Sequence, residues 1–210
     1  MGYQQYLFDL DGTLTDPGVG IKNSIRYALE RFGLPGLEEA VLERFIGPPL
    51  LDSFARYCGA TPEESRRLLQ LYREYFSERG IFENQVYDGI PETLAALRQR
   101  GARLYLATSK PELYAKQILE HFGLAEQFAF IGGSTMDETR TDKAEVIRYV
   151  MESAGIPRGG SVMVGDRVYD IRGGKTCGIA TVGVLYGYGD RQELSEADRL
   201  IQTPEELLTL

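Results

Sequence analysis

The sequence predicts an α/β fold, a doubly wound parallel sheet of Rossmann-like type interrupted by an inserted subdomain of four helices. Three observations support this prediction. A short apolar strand, Tyr6–Phe8, opens the chain. Residues 17–83 then show only helical periodicity, without a strand. From Tyr87 onward short apolar strands alternate with helices, which is typical of a parallel sheet covered on both faces. The predicted domains are therefore a core of residues 1–16 and 84–210 and a helical cap of residues 17–83.

The first strand ends at two aspartates, Asp9 and Asp11, which are separated by one residue. Gly12 follows, and a glycine tolerates a tight turn. Two like charges this close repel each other in a folded protein unless a cation or a proton holds them. A hard divalent cation such as Mg²⁺ binds carboxylate oxygens readily. The pair is therefore a candidate chemical site, and the alternative is an ordinary Asp-Gly turn with solvated carboxylates.

Four predicted helices make up the insertion. They cover residues 21–32, 37–46, 50–58 and 61–80. The first ends at Gly33, and the second ends at Gly47-Pro48-Pro49, which no helix interior tolerates. The fourth has the clearest start, because Thr61 can cap it, Pro62 suits its first turn and Glu64 completes a capping box.

The region after the insertion supplies the rest of the sheet. The predicted strands cover residues 103–107, 128–131, 161–164 and 179–184, and the predicted helices cover residues 91–100, 111–122, 143–154, 169–177 and the segment after Thr203-Pro204. Gly101, Gly123 and Gly155 each follow a helical pattern and favour its end. The opening strand is expected to join this sheet although the insertion separates it in sequence.

Ligands of such sheets bind beyond the carboxyl ends of the strands, and polar side chains are concentrated there. They are Asp9 and Asp11 after the first strand, Thr108 and Ser109 after the second, Asp166 and Asp170 after the fourth, and Lys143 at the start of the helix before it. In phosphoryl transfer one aspartate can attack phosphorus while a second carboxylate moves the proton. Lysine, hydroxyl groups and Mg²⁺ can neutralise the phosphate oxygens as the charge shifts.

These residues carry a resemblance to a known family. The segments Asp9-Leu-Asp11-Gly-Thr13-Leu, Thr108-Ser-Lys, Lys143 and Gly-Asp166-Arg-Val-Tyr-Asp170 occur in the order of the four motifs of the haloacid dehalogenase-like (HAD) hydrolases. The chain resembles that superfamily over essentially its whole length, including a helical cap after the first motif. The resemblance implies a HAD core, Mg²⁺ as cofactor and phosphatase activity through an aspartyl-phosphate.

The resemblance also implies a role for each motif residue. Asp9 matches the nucleophile and Asp11 the general acid and base; Thr108, Ser109 and Lys143 match the phosphate-binding residues; Asp9, the Asp11 carbonyl and Asp166 match the metal ligands; Asp170 and Thr13 are expected to support these ligands from behind. Relatives with this type of cap often place the lysine in a Lys-Pro-x-Pro segment, whereas Thr141-Asp142-Lys143-Ala144 stands here. Lys110 is therefore a competing ammonium.

Several functions share this scaffold. The chain most resembles the 5′-nucleotidase-like or phosphoglycolate-phosphatase-like subgroup, in the segments Phe45-Ile-Gly-Pro-Pro-Leu, Ala-Thr108-Ser-Lys-Pro, Gly132-Gly133-Ser134 and Gly183-Val-Leu-Tyr-Gly-Tyr-Gly189. This resemblance implies a 5′-nucleotide as the first expected substrate and phosphoglycolate as the second. A sugar-phosphate phosphomutase is an alternative, whereas dehalogenases lack a carboxylate at the Asp11 position. An alternative of a different class is a phosphoryl-accepting regulatory or binding module, because response-regulator receivers also place aspartates, a threonine and a lysine at the sheet edge. The insertion and the Asp9/Asp11 tandem argue against that module.

Composition limits the partners and the compartment. A net charge of −8 argues against nucleic acid or an anionic membrane as the main partner. No apolar run is long enough for a membrane span, no basic-then-apolar leader opens the sequence, and Cys58 and Cys177 have no metal or redox spacing. We therefore expect a cytoplasmic enzyme, a monomer or weak homodimer, that acts on a small phosphorylated metabolite. The cap is expected to hinge near residues 16–18 and 83–85 and to close over the site.

Overall fold

The computed structural model describes residues 2–137 and 139–210, and the chain divides into two compact units. One unit, called the sheet unit here, comprises Met1–Thr15 and Val86–Leu210. The other, called the helical unit, comprises Asp16–Gln85 and is therefore an insertion into the sequence of the sheet unit.

The elements follow one another in the order that the alternating pattern predicts, with additions. The strands are β1 (Gln5–Phe8), β2 (Thr15–Asp16), β3 (Gln85–Val86), β4 (Arg103–Pro111), β5 (Phe130–Ser134), β6 (Ser161–Gly165), β7 (Ala180–Val184) and β8 (Arg199–Ile201). The α-helices are α1 (Gly18–Phe32), α2 (Glu39–Leu42), α3 (Leu50–Cys58), α4 (Pro62–Tyr75), α5 (Ile90–Gln99), α6 (Glu112–His121), α7 (Lys143–Ala154) and α8 (Val168–Cys177). Short 3₁₀ segments cover Glu43–Phe45, Ala125–Gln127 and Pro204–Thr209, and a π-helical turn covers Phe76–Gly80.

The sheet unit is built on six parallel strands in the order β5-β4-β1-β6-β7-β8. Strand β1 lies near the centre, where Phe8 pairs with Leu106 of β4 on one side and with Val164 of β6 on the other. Leu7 and Phe8 are fully buried, as expected for a strand with helices on both faces of its sheet. The predicted α/β class with a parallel sheet is confirmed.

The helical unit contains α1 to α4, and its helices bury apolar side chains at helical spacing. Ile25 and Leu29 of α1 and Leu68 and Tyr72 of α4 are among its buried residues. The predicted capping box of α4 is present, because Thr61 Oγ1 accepts from the Glu64 amide and the Glu64 carboxylate accepts from the Thr61 amide.

Some boundaries differ from the prediction. The helix expected over residues 37–46 is limited to α2, whose last turn tightens into a 3₁₀ segment before the Gly-Pro-Pro sequence. The terminal helix expected after Thr203 is a 3₁₀ helix. The strand expected over residues 128–131 covers Phe130–Ser134, because a 3₁₀ turn covers Ala125–Gln127 and two irregular residues connect it to the strand. Strand β8 at the sheet edge was missed because three residues show no periodicity.

Two further observations concern the length of the helices and the state of the cysteines. Among the described residues, no helix combines the length and the apolar character that crossing a bilayer requires. Cys58 and Cys177 are free thiols, and burial raises the pKa of each above its usual value. Neither thiol is therefore activated as a nucleophile.

Candidate active site

The carboxyl edge of the parallel sheet brings the motif residues together. Asp9 and Asp11 follow β1, and Asp166 follows β6. Lys143 is the first residue of α7, and Asp170 lies in the first turn of α8. Because parallel strands end at the same edge of a sheet, residues more than 150 positions apart in the chain lie side by side.

Gly12 shapes the loop after β1. Its φ of 81° lies in the left-handed region, and its amide donates to the Thr15 carbonyl at 2.8 Å. A Cβ at this position would lie 2.1 Å from Asp166 Oδ2. The turn therefore needs glycine twice, for its backbone conformation and for the close approach of a functional carboxylate.

Lys143 connects the first and the last of these motifs. Its Nζ atom lies 2.8 Å from Oδ1 of Asp9 and 2.8 Å from Oδ1 of Asp170, and it donates a hydrogen bond to the Ala107 carbonyl at 3.1 Å. Only 5% of the side chain is exposed. Burial by itself would lower the pKa of Lys143, but the charges of Asp170 and Asp9 outweigh it and raise this pKa above the usual value. Lys143 is therefore a permanent cation.

The first turn of α7 fixes the position of this ammonium. The Asp142 side chain caps the helix by accepting hydrogen bonds from the amides of Ala144 and Glu145, at 2.9 and 3.1 Å. The Thr-Asp-Lys-Ala sequence thus starts the helix with an N-cap aspartate. These N-cap hydrogen bonds explain how the start of α7, and with it Lys143, is held in position without the prolines of the Lys-Pro-x-Pro segment.

Three buried carboxylates form a cluster suited to a divalent cation. Each of Asp9, Asp166 and Asp170 offers an oxygen within 4.8 Å of the others. Burial raises the pKa of Asp166 well above its usual value, and the charges of Asp170 and Asp9 raise it further. Burial also raises the pKa of Asp170, against the opposing charge of Lys143. An all-oxygen set of mutually repelling anions fits Mg²⁺, because the cation would relieve the repulsion.

The unsatisfied oxygens of this cluster support the same fit. Oδ1 of Asp9 and Oδ1 of Asp170 are buried and lie at ion-pair distance from Lys143, yet neither accepts a hydrogen bond of good geometry within the described part of the chain. Sequence reasoning places Asp170 behind the metal ligands. In the structure its carboxylate offers an oxygen within 4.8 Å of oxygens of Asp9 and Asp166, so Asp170 is a further candidate ligand.

Lys110 lies beside the other aspartate of the first motif. Its Nζ atom is 2.6 Å from Oδ2 of Asp11, and the two side chains are 6% and 14% exposed. Burial raises the pKa of Asp11, although Lys110 partly offsets this effect. The two lysines that competed in the sequence therefore contact different carboxylates, Lys143 that of Asp9 and Lys110 that of Asp11.

The hydroxyl groups near the site differ in their surroundings. Thr108 is buried, and its Oγ1 accepts from the Lys110 amide at 3.2 Å, which leaves its own proton for a phosphate oxygen. Ser109 is half-buried. Thr13 is buried, and its hydroxyl donates a long hydrogen bond of 3.5 Å to Asp166 Oδ1.

The loop after β7 contacts the site. The sequence marks Tyr186 and Tyr188 of this loop as candidates for lining a pocket, but it does not predict the partners that they contact. The Tyr188 amide donates to Asp166 Oδ2 at 2.9 Å, and the Tyr186 hydroxyl donates to the Thr13 carbonyl at 3.0 Å. Glu193 accepts from the Val168 amide at 3.0 Å, which caps the start of α8. The glycine-rich composition of residues 183–189 is the one available signal, since it allows the loop to approach Asp166 closely.

Gly12→Ala tests whether the close packing at this turn holds Asp166 in place. We expect a loss of at least about 1 kcal/mol in the free energy of unfolding, because both the φ and the contact with Asp166 disfavour a Cβ. We also expect kcat to fall, and to fall more than in the control variant. Gly101→Ala is the matched control, because its φ is +88° and a Cβ there would meet nothing within 4 Å. Equal effects of both changes on turnover would contradict the role of the Asp166 contact.

Comparison with known proteins identifies the family of this chain. The profile of the haloacid dehalogenase-like hydrolases matches residues 6–184. A 5′-nucleotidase of Pseudomonas aeruginosa is 46% identical over 192 residues, which are 91% of this chain and 87% of that protein. A phosphoglycolate phosphatase of Pseudomonas syringae pv. tomato is 32% identical over 198 residues, which are 90% of this chain and 72% of that protein.

Two further similarities come from a kinase and from a solved structure. The tyrosine-protein kinase PtkA of Mycobacterium tuberculosis is 38% identical over 201 residues, covering 95% of this chain and 68% of that protein. The crystal structure of a predicted phosphatase from Clostridium acetobutylicum is 41% identical, with a TM-score of 0.94 and complete coverage of both chains.

The fold, the carboxylate site and the named phosphatases among these relatives together define a phosphoric monoester hydrolase. The chain belongs to the haloacid dehalogenase-like hydrolase family. Its four motifs occupy the carboxyl edge of a six-stranded parallel sheet.

Proposed function

We propose that this protein is a Mg²⁺-dependent phosphatase that hydrolyses the phosphomonoester of a small metabolite through an aspartyl-phosphate on Asp9. A 5′-nucleotide is the first candidate substrate. One observation carries the proposal: Asp9 and Asp11 follow the same strand, and each is paired with a different lysine whose side chain is largely covered, Lys143 with Asp9 and Lys110 with Asp11. Two carboxylates held separately in this way can perform two different tasks in one reaction.

In the first half of the reaction, the Asp9 carboxylate attacks phosphorus. A bond forms between its oxygen and phosphorus while the bond from phosphorus to the ester oxygen breaks. Asp11 gives a proton to the departing ester oxygen, which leaves as an alcohol. The product on the enzyme is an aspartyl-phosphate.

In the second half, water replaces Asp9 on phosphorus. Asp11, now a carboxylate, takes a proton from the water as the water oxygen attacks. The bond between phosphorus and the Asp9 oxygen breaks, inorganic phosphate leaves, and both aspartates return to their starting states.

The remaining site residues are proposed to bind the phosphate and the cation and to neutralise the charge on the phosphate oxygens. Lys143, Thr108 and Ser109 are proposed to contact the phosphate oxygens, whose charge is redistributed as the bonds change. Asp9, Asp166 and the Asp11 carbonyl would hold Mg²⁺, and Asp170 is close enough to join them. Bound there, Mg²⁺ supplies positive charge that lets an anionic nucleophile approach an anionic phosphate. Thr13 is proposed to orient Asp166.

The candidate functions differ in the phosphate ester that donates the phosphoryl group and in the molecule that accepts it. The 46% identity to a 5′-nucleotidase favours a nucleotide, and the relative named phosphoglycolate phosphatase makes phosphoglycolate the second candidate. The relative named tyrosine-protein kinase is a reason to test the acceptor as well as the donor, because one fold supports several chemistries. The helical unit is proposed to act as the cap that selects the leaving group.

A panel of phosphorylated metabolites tests the function directly. The purified chain is incubated with Mg²⁺ and nucleoside 5′-monophosphates, phosphoglycolate or sugar phosphates, and released phosphate is measured. We expect the highest kcat/KM with a 5′-nucleotide. Release from phosphoglycolate alone would support the second candidate. Transfer to a tyrosine peptide without phosphate release, or a stable adduct with acetyl phosphate without turnover, would contradict the proposal.

Chelation tests the metal. Treatment with EDTA is expected to lower kcat by about a hundredfold, because the cation neutralises charge at the reacting phosphate. Added Mg²⁺ should restore turnover, and it should also raise the melting temperature of the substrate-free protein, since it would relieve the repulsion among the buried carboxylates. Full activity in EDTA would contradict the role of the cation.

A further inference from the structure

Lys110 occupies an irregular part of β4. The pairing of β4 with β5 shifts between Ala107 and Pro111, as in a β-bulge, and such irregularities turn side chains into new directions. The Lys110 amide donates to Thr108 Oγ1 at 3.2 Å. A Cβ on Gly133 of β5 would lie 2.6 Å from the Lys110 carbonyl oxygen, so β5 approaches the shifted segment closely. The backbone around Lys110 is thus tightly packed.

The two oxygens of Asp11 have different surroundings. Oδ2 lies 2.6 Å from the Lys110 ammonium and accepts its hydrogen bond. Oδ1 is buried and has no hydrogen-bond partner among the described residues. A buried polar atom without a partner is costly unless a ligand or water engages it during function. Oδ1 is therefore the atom of Asp11 that remains for a reacting group.

We propose that Lys110 is a positioning residue that holds Asp11 by Oδ2, so that Oδ1 exchanges the proton with the ester oxygen and then with water. This inference rests on the proposed phosphatase function. Lys110 would act through Asp11, whereas Lys143 contacts Asp9 and Asp170. The two lysines would then serve different bonds of the same reaction, Lys143 the forming bond and Lys110 the breaking one.

This division predicts a dependence on the leaving group. An alkyl phosphate releases a strongly basic alkoxide and needs a proton from Asp11 as the ester bond breaks. A 4-nitrophenyl phosphate releases a stable phenolate and needs that proton much less. The ratio kcat/KM reports the steps up to formation of the aspartyl-phosphate, so it isolates the step in which the ester bond breaks.

Lys110→Met is the main variant, because methionine has a similar volume and no charge. Its kcat/KM with an alkyl phosphate is expected to fall about 10²-fold, which is the size of a lost contribution from acid catalysis. This fall should be at least about tenfold larger than the fall in kcat/KM with 4-nitrophenyl phosphate. Lys110→Arg should recover part of the lost rate with the alkyl ester, since a guanidinium can also hold Oδ2. If Lys110→Met does not fold, Lys110→Gln supplies the same comparison with a neutral polar side chain.

Lys116→Met is the matched control. Lys116 also pairs with a carboxylate, that of Glu112, but its side chain is 47% exposed on α6 and lies outside the site. Lys116→Met should change kcat/KM with neither the alkyl phosphate nor 4-nitrophenyl phosphate. A purely structural role of Lys110 would lower the melting temperature and reduce the rates with both esters by one common factor.

The possible results distinguish failure of the proposed role of Lys110 from failure of the proposed phosphatase function. A loss of equal size with both esters would mean that Lys110 binds phosphate if the melting temperature is unchanged, and that its role is structural if the melting temperature falls. Either result overturns the inference and leaves the phosphatase function standing. No loss with either ester in a folded variant would overturn it as well. Failure of the unaltered protein to hydrolyse any ester would instead contradict the proposed function.

Discussion

Replacing Asp9 with asparagine is expected to lower kcat by about 10⁴-fold or more, because a neutral amide cannot replace a carboxylate as nucleophile. The side chains are nearly the same size, so packing at the end of β1 should persist. Asp9→Asn also removes one of three repelling carboxylates, so the melting temperature of the metal-free protein should not fall below that of the parent. The measurements are steady-state hydrolysis and thermal unfolding of the same preparations.

Asp198→Asn is the matched control for this change. The Asp198 carboxylate accepts hydrogen bonds from the amide and the hydroxyl of Thr181, at 2.8 and 2.9 Å, away from the motif residues. Its replacement should cost about 1 kcal/mol of stability and leave kcat near that of the parent. Turnover of Asp9→Asn close to that of the parent protein would rule out Asp9 as the nucleophile.

Lys143→Met is expected to have the second largest effect, on activity and stability together. The ammonium lies 2.8 Å from two buried carboxylates, Asp9 and Asp170. Without it these anions are left unpaired, which should cost about 3–5 kcal/mol in the free energy of unfolding. We expect kcat to fall about 10³-fold through lost charge stabilisation at the phosphate. Denaturant unfolding and steady-state kinetics measure the two effects.

The exposed ion pair of Lys116 with Glu112 is the control for the stability loss of Lys143→Met. Lys116→Met breaks an i,i+4 pair on α6 and should change the free energy of unfolding by no more than about 0.5 kcal/mol. If Lys143→Met unfolded at the same denaturant concentration as Lys116→Met, the buried charge cluster would not have the energetic role assigned to it. Retained turnover would remove Lys143 from the phosphate site.

The sequence alone predicts the sheet and the residues at its edge, because both depend on local signals. The apolar run before Asp9 and the glycine after Asp11 define a strand and its turn, and the alternation after Tyr87 defines a parallel sheet. Parallel strands end at one edge, so the motif residues could be brought together without coordinates. The short strand β8 and the 3₁₀ helix Pro204–Thr209 have no such pattern.

The contacts within the site were harder to predict, because they depend on irregular backbone. The partner of Lys110 follows from the shifted pairing at the end of β4, which has no periodic signature. The hydrogen bond from the Tyr188 amide to Asp166 joins residues 22 positions apart through a loop whose path composition does not determine. The sequence places Asp170 at the same sheet edge as Asp9 and Asp166, but the separation of less than 4.8 Å between their carboxylate oxygens emerges only when strands and helices are assembled.

The most direct test of the account is to identify the residue that carries the phosphoryl group. The Asp11→Asn variant should accept phosphoryl from 4-nitrophenyl phosphate, which needs little acid assistance, but should release it slowly because the base for water is gone. Acid quenching followed by peptide mass spectrometry should then show one phosphoryl group, sensitive to hydroxylamine, on Asp9. A phosphoryl group on any other residue, or hydrolysis by the parent protein with no protein-bound phosphoryl in either form, would contradict the account.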